Sequence, residues 1–292
     1  MNFNTFLGFA FLVISQDIFS QKANPFIPDF SPPSRVKGMI LFWSDEFNTN
    51  GKPDPKNWNY ERGFVRNKEL QWYQSENANC SNGVLVIEGR RENFLNPQFR
   101  DSSNNWKLNR QFINYTSASI NTRGLHQFNH GRFEIRARID TTTGSWPAIW
   151  TLGIHGSWPL NGEIDIMEFY RVDNIPTILA NLAWGKTEKG GPQWNTKMLA
   201  LSEFVNRDPE WVKKFHIWRM DWTKDSINLF LDNVLLNTGL LSHMVNPDGS
   251  NPFIQPQYLL LNLAIGSNGG DPAKSSFPIK YEVDYVRYYK YE

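Results

Sequence analysis

The strongest constraint on this chain is a hydrophobic alternation of period two that recurs in short runs along its length. In residues 132–139 the apolar Phe133, Ile135, Ala137 and Ile139 alternate with Arg132, Glu134, Arg136 and Arg138. Similar runs occupy 83–89, 216–222, 226–231, 258–265 and 281–289, and the first strand is expected at 39–43. Turn signals such as Thr223-Lys224-Asp225 and Asp232-Asn233 separate them. No long amphipathic helix competes, and 201–214 reads as a short helical excursion at most. Each strand then has one apolar face to bury, which points to an all-β sandwich of two antiparallel sheets. Residues 39–292 are read as one such domain, a size that all-β folds commonly reach as a single unit.

Two segments precede it. The apolar run from Phe6 to Ile14 ends at Gln16 and Asp17, too short to span a bilayer, and the small Ser20 stands before Gln21. Residues 1–20 therefore read as a secretory signal, placing the protein outside the cell or in a periplasm. Residues 21–38 carry Pro25, Pro28, Pro32 and Pro33 and read as an extended leader. Cys80 is the only cysteine, so no intrachain disulfide can form. With 30 Lys and Arg against 29 Asp and Glu, there is no basic field to hold a nucleic acid. A neutral partner and a monomeric state are expected. The 12 Trp include several in polar, turn-rich stretches, where rings can stack on sugars as well as fill a core.

The most informative stretch is Gly162-Glu163-Ile164-Asp165-Ile166-Met167-Glu168-Phe169-Tyr170. On a regular strand Glu163 and Asp165 share one face and Glu168 points to the other, into the core. An unpaired buried carboxylate costs several kcal/mol, so the spacing predicts a β-bulge around Ile166-Met167 that returns Glu168 to the face of the other two. Three clustered carboxylates suit glycoside hydrolysis, in which one attacks the anomeric carbon and another donates a proton to the leaving oxygen. Mutual repulsion raises the pKa of at least one, and the three titrate as a coupled unit. A solvated acidic face and a Ca²⁺ site are the rival readings. The second is weakened because such a site usually gathers more oxygen ligands on a Gly-containing loop.

Glu163-Ile164-Asp165-Ile166-Met167-Glu168 resembles the bulged E-x-D-x-x-E signature of family 16 glycoside hydrolases of the laminarinase-like type. Trp43-Ser44-Asp45-Glu46-Phe47, Asn67-Lys68-Glu69-Leu70-Gln71, Gly131-Arg132-Phe133-Glu134-Ile135-Arg136 and Trp146-Pro147-Ala148-Ile149-Trp150 resemble further blocks of that family in the same order. So do Leu261-Asn262-Leu263-Ala264-Ile265-Gly266 and Val283-Asp284-Tyr285-Val286-Arg287. The resemblance implies a β-jelly-roll with an open concave cleft and a retaining, endo-acting double displacement on a polysaccharide. It implies Glu163 as nucleophile, Glu168 as general acid/base and Asp165 as the carboxylate that assists Glu163. It implies Asn67, Trp146, Trp150 and Trp184 along the cleft, and Arg136 on the polar face of its strand is a further candidate. No cofactor is required for catalysis, while a structural calcium is implied at Asp284 with help from Glu46.

One departure bears on the substrate. Many laminarinase-like members have a His before the cleft aromatic, where this chain has Ala183 in Ala180-Asn181-Leu182-Ala183-Trp184. An endo-β-1,3- or β-1,3/1,4-glucanase is the leading expectation. A galactan-backbone hydrolase and a non-catalytic carbohydrate-binding protein on the same sandwich are the alternatives, the last disfavoured because binding alone needs no acids at fixed spacing.

Overall fold

The computed structural model describes residues 23–186 and 191–292. The signal segment read at 1–20 lies outside the described residues. Their strands form two sheets. The seven-stranded sheet runs in the order Pro192–Ala200, Ile175–Gly185, Glu163–Val172, Ser145–Gly153, Gln257–Ile265, Ser119–Asn121 and Asn59–Tyr60. The second sheet follows Val234–Leu240, Ser226–Leu231, His216–Trp222, Gly131–Arg138, Ile279–Tyr291, Val84–Leu95, Phe112–Ser117 and Gln71–Tyr73. Met39–Asp45 and Ala78–Ser81 pair onto Ile279–Tyr291 and Val84–Leu95, respectively. Every pairing between these strands is antiparallel except that of Gln71–Tyr73 with Phe112–Ser117, which is parallel. The fold is thus the expected β-jelly-roll sandwich, and 201–214 holds one helical turn, Ser202–Val205, and the 3₁₀ turn Trp211–Lys213.

Alternation explains how the sheets join. Phe133, Ile135, Trp218, Met220 and Leu229 from the ten-stranded sheet meet Ile149, Ile164, Phe169, Ile178 and Leu261 from the seven-stranded one in a continuous core. Each such side chain taken fully from water contributes about 1.5–3 kcal/mol. Phe128, Phe133 and Tyr288 add a ring cluster with centroids 4.7–4.8 Å apart.

The outer face of the ten-stranded sheet is a ladder of ion pairs. Arg132 bonds Asp221 at 2.6 Å, Arg138 bonds Glu282 at 2.7 Å, and Arg136 pairs with Asp284 at the centre. The leader is strapped across this ladder. Arg136 donates to the carbonyls of Asn24 (2.8 Å) and Ile27 (3.0 Å), Asp284 accepts from the Asp29 amide, and Phe215 donates its amide to Pro25 (2.6 Å). A second, small apolar cluster lies on the opposite face of the seven-stranded sheet. Ala148, Trp150, Tyr258 and Leu260 form it, with Leu152 and Ile154 against them.

Candidate active site

The strand Glu163–Val172 is irregular where the sequence requires it. Asp165 stands opposite Trp150 and Glu168 opposite Ala148, so Ile166 and Met167 together face the single residue Ile149. On the other side the same two residues face Ala180 alone, between the pairs Asp165–Asn181 and Glu168–Leu179. This is a β-bulge. Ile166 and Met167 are both fully buried in the core, and Glu163, Asp165 and Glu168 all line one cleft of about 650 Å³. The extra residue spares the core a carboxylate and collects three acids on the opposite face.

Their surroundings differ. Glu168 accepts from Trp146 Nε1 and from Asn181 Nδ2, each at 2.9 Å. Burial pushes its pKa up to about 7, the two donors pull down, and Glu163 and Glu69 push further up. Glu163 is pushed up to about 6 by burial, against hydrogen bonds from Asp165 and Trp158 and the positive charge of Arg66. Asp165 is held well above the usual carboxylate range by burial and by its two acidic neighbours. A protonated Asp165 donates to Glu163 and so favours the ionised form of Glu163. The environments thus separate one ionised carboxylate from one proton-bearing acid near neutral pH.

Asn67, Trp146 and Trp150 line the cleft. Asn67 is carried there by a turn in which it and Lys68 adopt positive φ of 55° and 51°, and Ser267 Oγ fastens the turn by donating to the Asn67 carbonyl at 3.1 Å. Trp150 donates Nε1 to Asn262 Oδ1 at 2.7 Å, which leaves its ring face among Ala148, Tyr258 and Leu260.

Two expected cleft residues lie elsewhere. Trp184 belongs to the main core, edge to face with Phe253 at 6.5 Å, because Asn181 faces the acids and strand alternation then sends Leu182 and Trp184 the other way. Trp194, paired with Ala183 across the next strand, is the cleft aromatic on that side, with Trp158 from the loop before Glu163. Arg136 lies on the outer face of the other sheet, buried against Asp284 and under Phe215.

The implied calcium does not fit the residues present. Asp284 accepts from the Arg136 guanidinium and the Asp29 amide, and Glu46 accepts from Arg287 at 2.8 Å. Two guanidinium groups hold the carboxylates that would have to bind the cation, and no group of three or more His, Cys, Asp or Glu gathers for a metal among the described residues.

Further charged or polar residues that the sequence did not mark as site residues line the cleft, among them Arg66, Glu69 of the block Asn67-Lys68-Glu69-Leu70-Gln71, and Asn268. Their presence there depends on the parallel pairing of Gln71–Tyr73 and on the turn after Ile265, neither of which local alternation reveals.

A cleft with acids in this order and these environments has the chemistry of glycoside hydrolysis, and residues 73–287 match the family model described as glycosyl hydrolases family 16. The chain belongs to this family. It is a hydrolase of O-glycosyl bonds. Among the family 16 relatives it resembles is a β-glucanase of Rhodothermus marinus, 35% identical over 274 residues that cover 86% of this chain and 85% of the relative. The laminarinase catalytic domain of Thermotoga maritima superposes with a TM-score of 0.72 at 30% identity, over 87% of this chain and 99% of that one. A structure described with the endo-acting O-glycanases that members of the human gut microbiota express to initiate mucin breakdown superposes with a TM-score of 0.80 at 32% identity, over 90% and 94% of the two chains. Among the described residues no helix is long and apolar enough to cross a membrane.

Proposed function

We propose that this family 16 enzyme is a secreted, retaining endo-β-glycosidase acting on β-1,3- or β-1,3/1,4-linked glucan. The observation that carries the mechanism is the bulge, which brings Glu163, Asp165 and Glu168 to one cleft face in three different environments. Ionised Glu163 attacks the anomeric carbon while Glu168 gives its proton to the departing glycosidic oxygen, leaving a glycosyl ester on Glu163. Glu168, now a carboxylate, takes a proton from the water that hydrolyses that ester and is restored. Asp165 holds Glu163 through their hydrogen bond. Trp150, Trp158 and Trp194 offer broad apolar faces for the C–H faces of pyranose rings. The similarity to the β-glucanase and the laminarinase supports glucan as substrate.

A second reading, hydrolysis of a galactan or mucin-type backbone, is favoured by the higher structural similarity to the O-glycanase and by Ala183 beside Glu163. Incubation with laminarin, lichenan, agarose, porphyran, a β-galactan and mucin O-glycans, with sizing of the products, separates the two. Internal cleavage of laminarin or lichenan is expected. Products from galactose-containing chains alone would replace the first reading by the second.

A further inference from the structure

A fourth carboxylate, Glu69, faces the cleft and has no part in the mechanism above. It is 3% exposed, yet every hydrogen bond to its oxygens is one it accepts. Gln71 Nε2 donates at 2.6 Å, Asn67 Nδ2 at 3.3 Å and Tyr73 Oη at 3.4 Å. The Tyr73 bond has a fixed direction, because Tyr73 Oη accepts from Asn262 Nδ2 at 3.1 Å and so has its own proton free to give. Asn262 in turn accepts from Trp150 Nε1 at 2.7 Å. The chain Trp150 to Asn262 to Tyr73 to Glu69 therefore donates one way and ends on an acceptor. A carboxylate offered only donors is ionised.

Its counter-charge is built in. Arg66 lies over the Trp150 ring at 5.0 Å and the Tyr73 ring at 5.9 Å, and is paired on its far side with Glu61. From outside, Arg110 holds the turn that carries Glu69 by donating to the carbonyls of Lys68 (2.8 Å) and Glu69. The ionisable groups around Glu69 are thus Arg66, Glu61, Tyr73, Arg110 and, in the same cleft, Glu168. Those around Glu168 are Glu163, Asp165 and Tyr170 from its own strand, Glu69 from the turn before Gln71–Tyr73, and Arg66 through its neighbourhood to Glu163.

We propose that Glu69 is a positioning residue for hydrolysis, a fixed anion in the cleft that keeps the proton on Glu168 and anchors Trp150 through Tyr73 and Asn262. Burial raises the Glu69 pKa while Arg66, Gln71 and Asn67 lower it, and Glu69, lining the same cleft, in turn raises Glu168. The proposal rests on Glu168 being the acid, and the test separates the two.

The sign is set by the roles. Activity falls on the alkaline side as Glu168 loses its proton and on the acid side as Glu163 gains one. Removing a negative charge near Glu168 makes it a stronger acid. In Glu69→Gln the alkaline limb of kcat/KM on laminarin should move down by about half a pH unit or more while the acid limb stays. The loss should also be several-fold greater on laminarin than on an aryl β-glycoside with a good leaving group, which departs without the proton. Tyr73→Phe breaks the anchor but keeps the charge, so it should raise KM and leave both limbs in place. A merely structural Glu69 would lower activity equally at all pH values and on both substrates, and that result overturns the proposal. Should Glu69→Gln fail to fold by circular dichroism, Glu69→Asp decides: a smaller shift of the alkaline limb supports the proposal, and an unmoved limb overturns it. If the alkaline limb of the native enzyme survives Glu168→Gln, Glu168 is not the acid and both readings fall.

Discussion

The two sheets handle acidic side chains in opposite ways. On the outer face of the ten-stranded sheet, Asp221, Glu282, Asp284 and Glu46 each hold an arginine: Arg132, Arg138, Arg136 and Arg287. On the cleft face of the seven-stranded sheet, Glu163, Asp165 and Glu168 hold one another and uncharged donors from Trp146, Trp158 and Asn181. The residue types are the same and the burial is comparable. Pairing cancels charge on the first face and serves the fold. On the second face charge is left to compete for protons, which is what an acid and a nucleophile in one site require.

The largest break in this contrast should come from Glu163→Ala, with a fall of about 10⁴-fold or more in kcat/KM. Azide should restore turnover and give a product of inverted anomeric configuration by NMR. A fully active variant would remove Glu163 from the mechanism. Glu168→Gln should cost about 10²–10⁴-fold on laminarin and far less on an aryl glycoside with a good leaving group. Equal losses on both would argue against a proton-donating role.

On the other face, Arg136→Ala leaves Asp284 buried without its partner and should cost about 3–5 kcal/mol of stability in urea titrations. In conditions where the variant is folded, kcat should change little, and a large fall in kcat would show the faces to be coupled. Chelation of the native protein should leave its Tm unchanged, since arginines already hold Asp284 and Glu46.

The mildest perturbation is pH itself. With Glu163 pushed up to about 6 and Glu168 to about 7, activity should be greatest between slightly acidic and neutral pH. It should fall below that range as Glu163 takes up a proton, and above it as Glu168 loses one. A single-sided profile would mean that only one of the two titrates in the free enzyme.

Much of this was legible in the sequence, for identifiable reasons. Alternation alone implied the sandwich, and the spacing of Glu163, Asp165 and Glu168 implied the bulge, because the alternative puts a charge in the core. What alternation cannot state is which sheet a strand joins. Arg136 sits on a strand with a clean polar face, but that face belongs to the other sheet. Trp184 was misplaced by one position, since the orientation of Ile175–Gly185 is fixed only once Asn181 is known to meet Glu168. Trp194 had a usable sign, a tryptophan in the polar run Pro192-Gln193-Trp194-Asn195. Glu69 stood in the block Asn67-Lys68-Glu69-Leu70-Gln71, but nothing local marked its role, because the chain of bonds that ends on it joins Tyr73 to Asn262, 189 residues apart in sequence.

The bulge ties the number of residues in this strand to its regularity. Deleting Ile166 would keep all three acids in the sequence and leave every motif nearly readable. It would also restore regular alternation, and the shortened Glu-x-Asp-x-Glu run would keep all three acids on the cleft face. A relative one residue shorter here keeps its proton donor on the cleft face with no bulge, whereas straightening the strand with Ile166 in place turns Glu168 toward Ile149, Ile178 and Leu261.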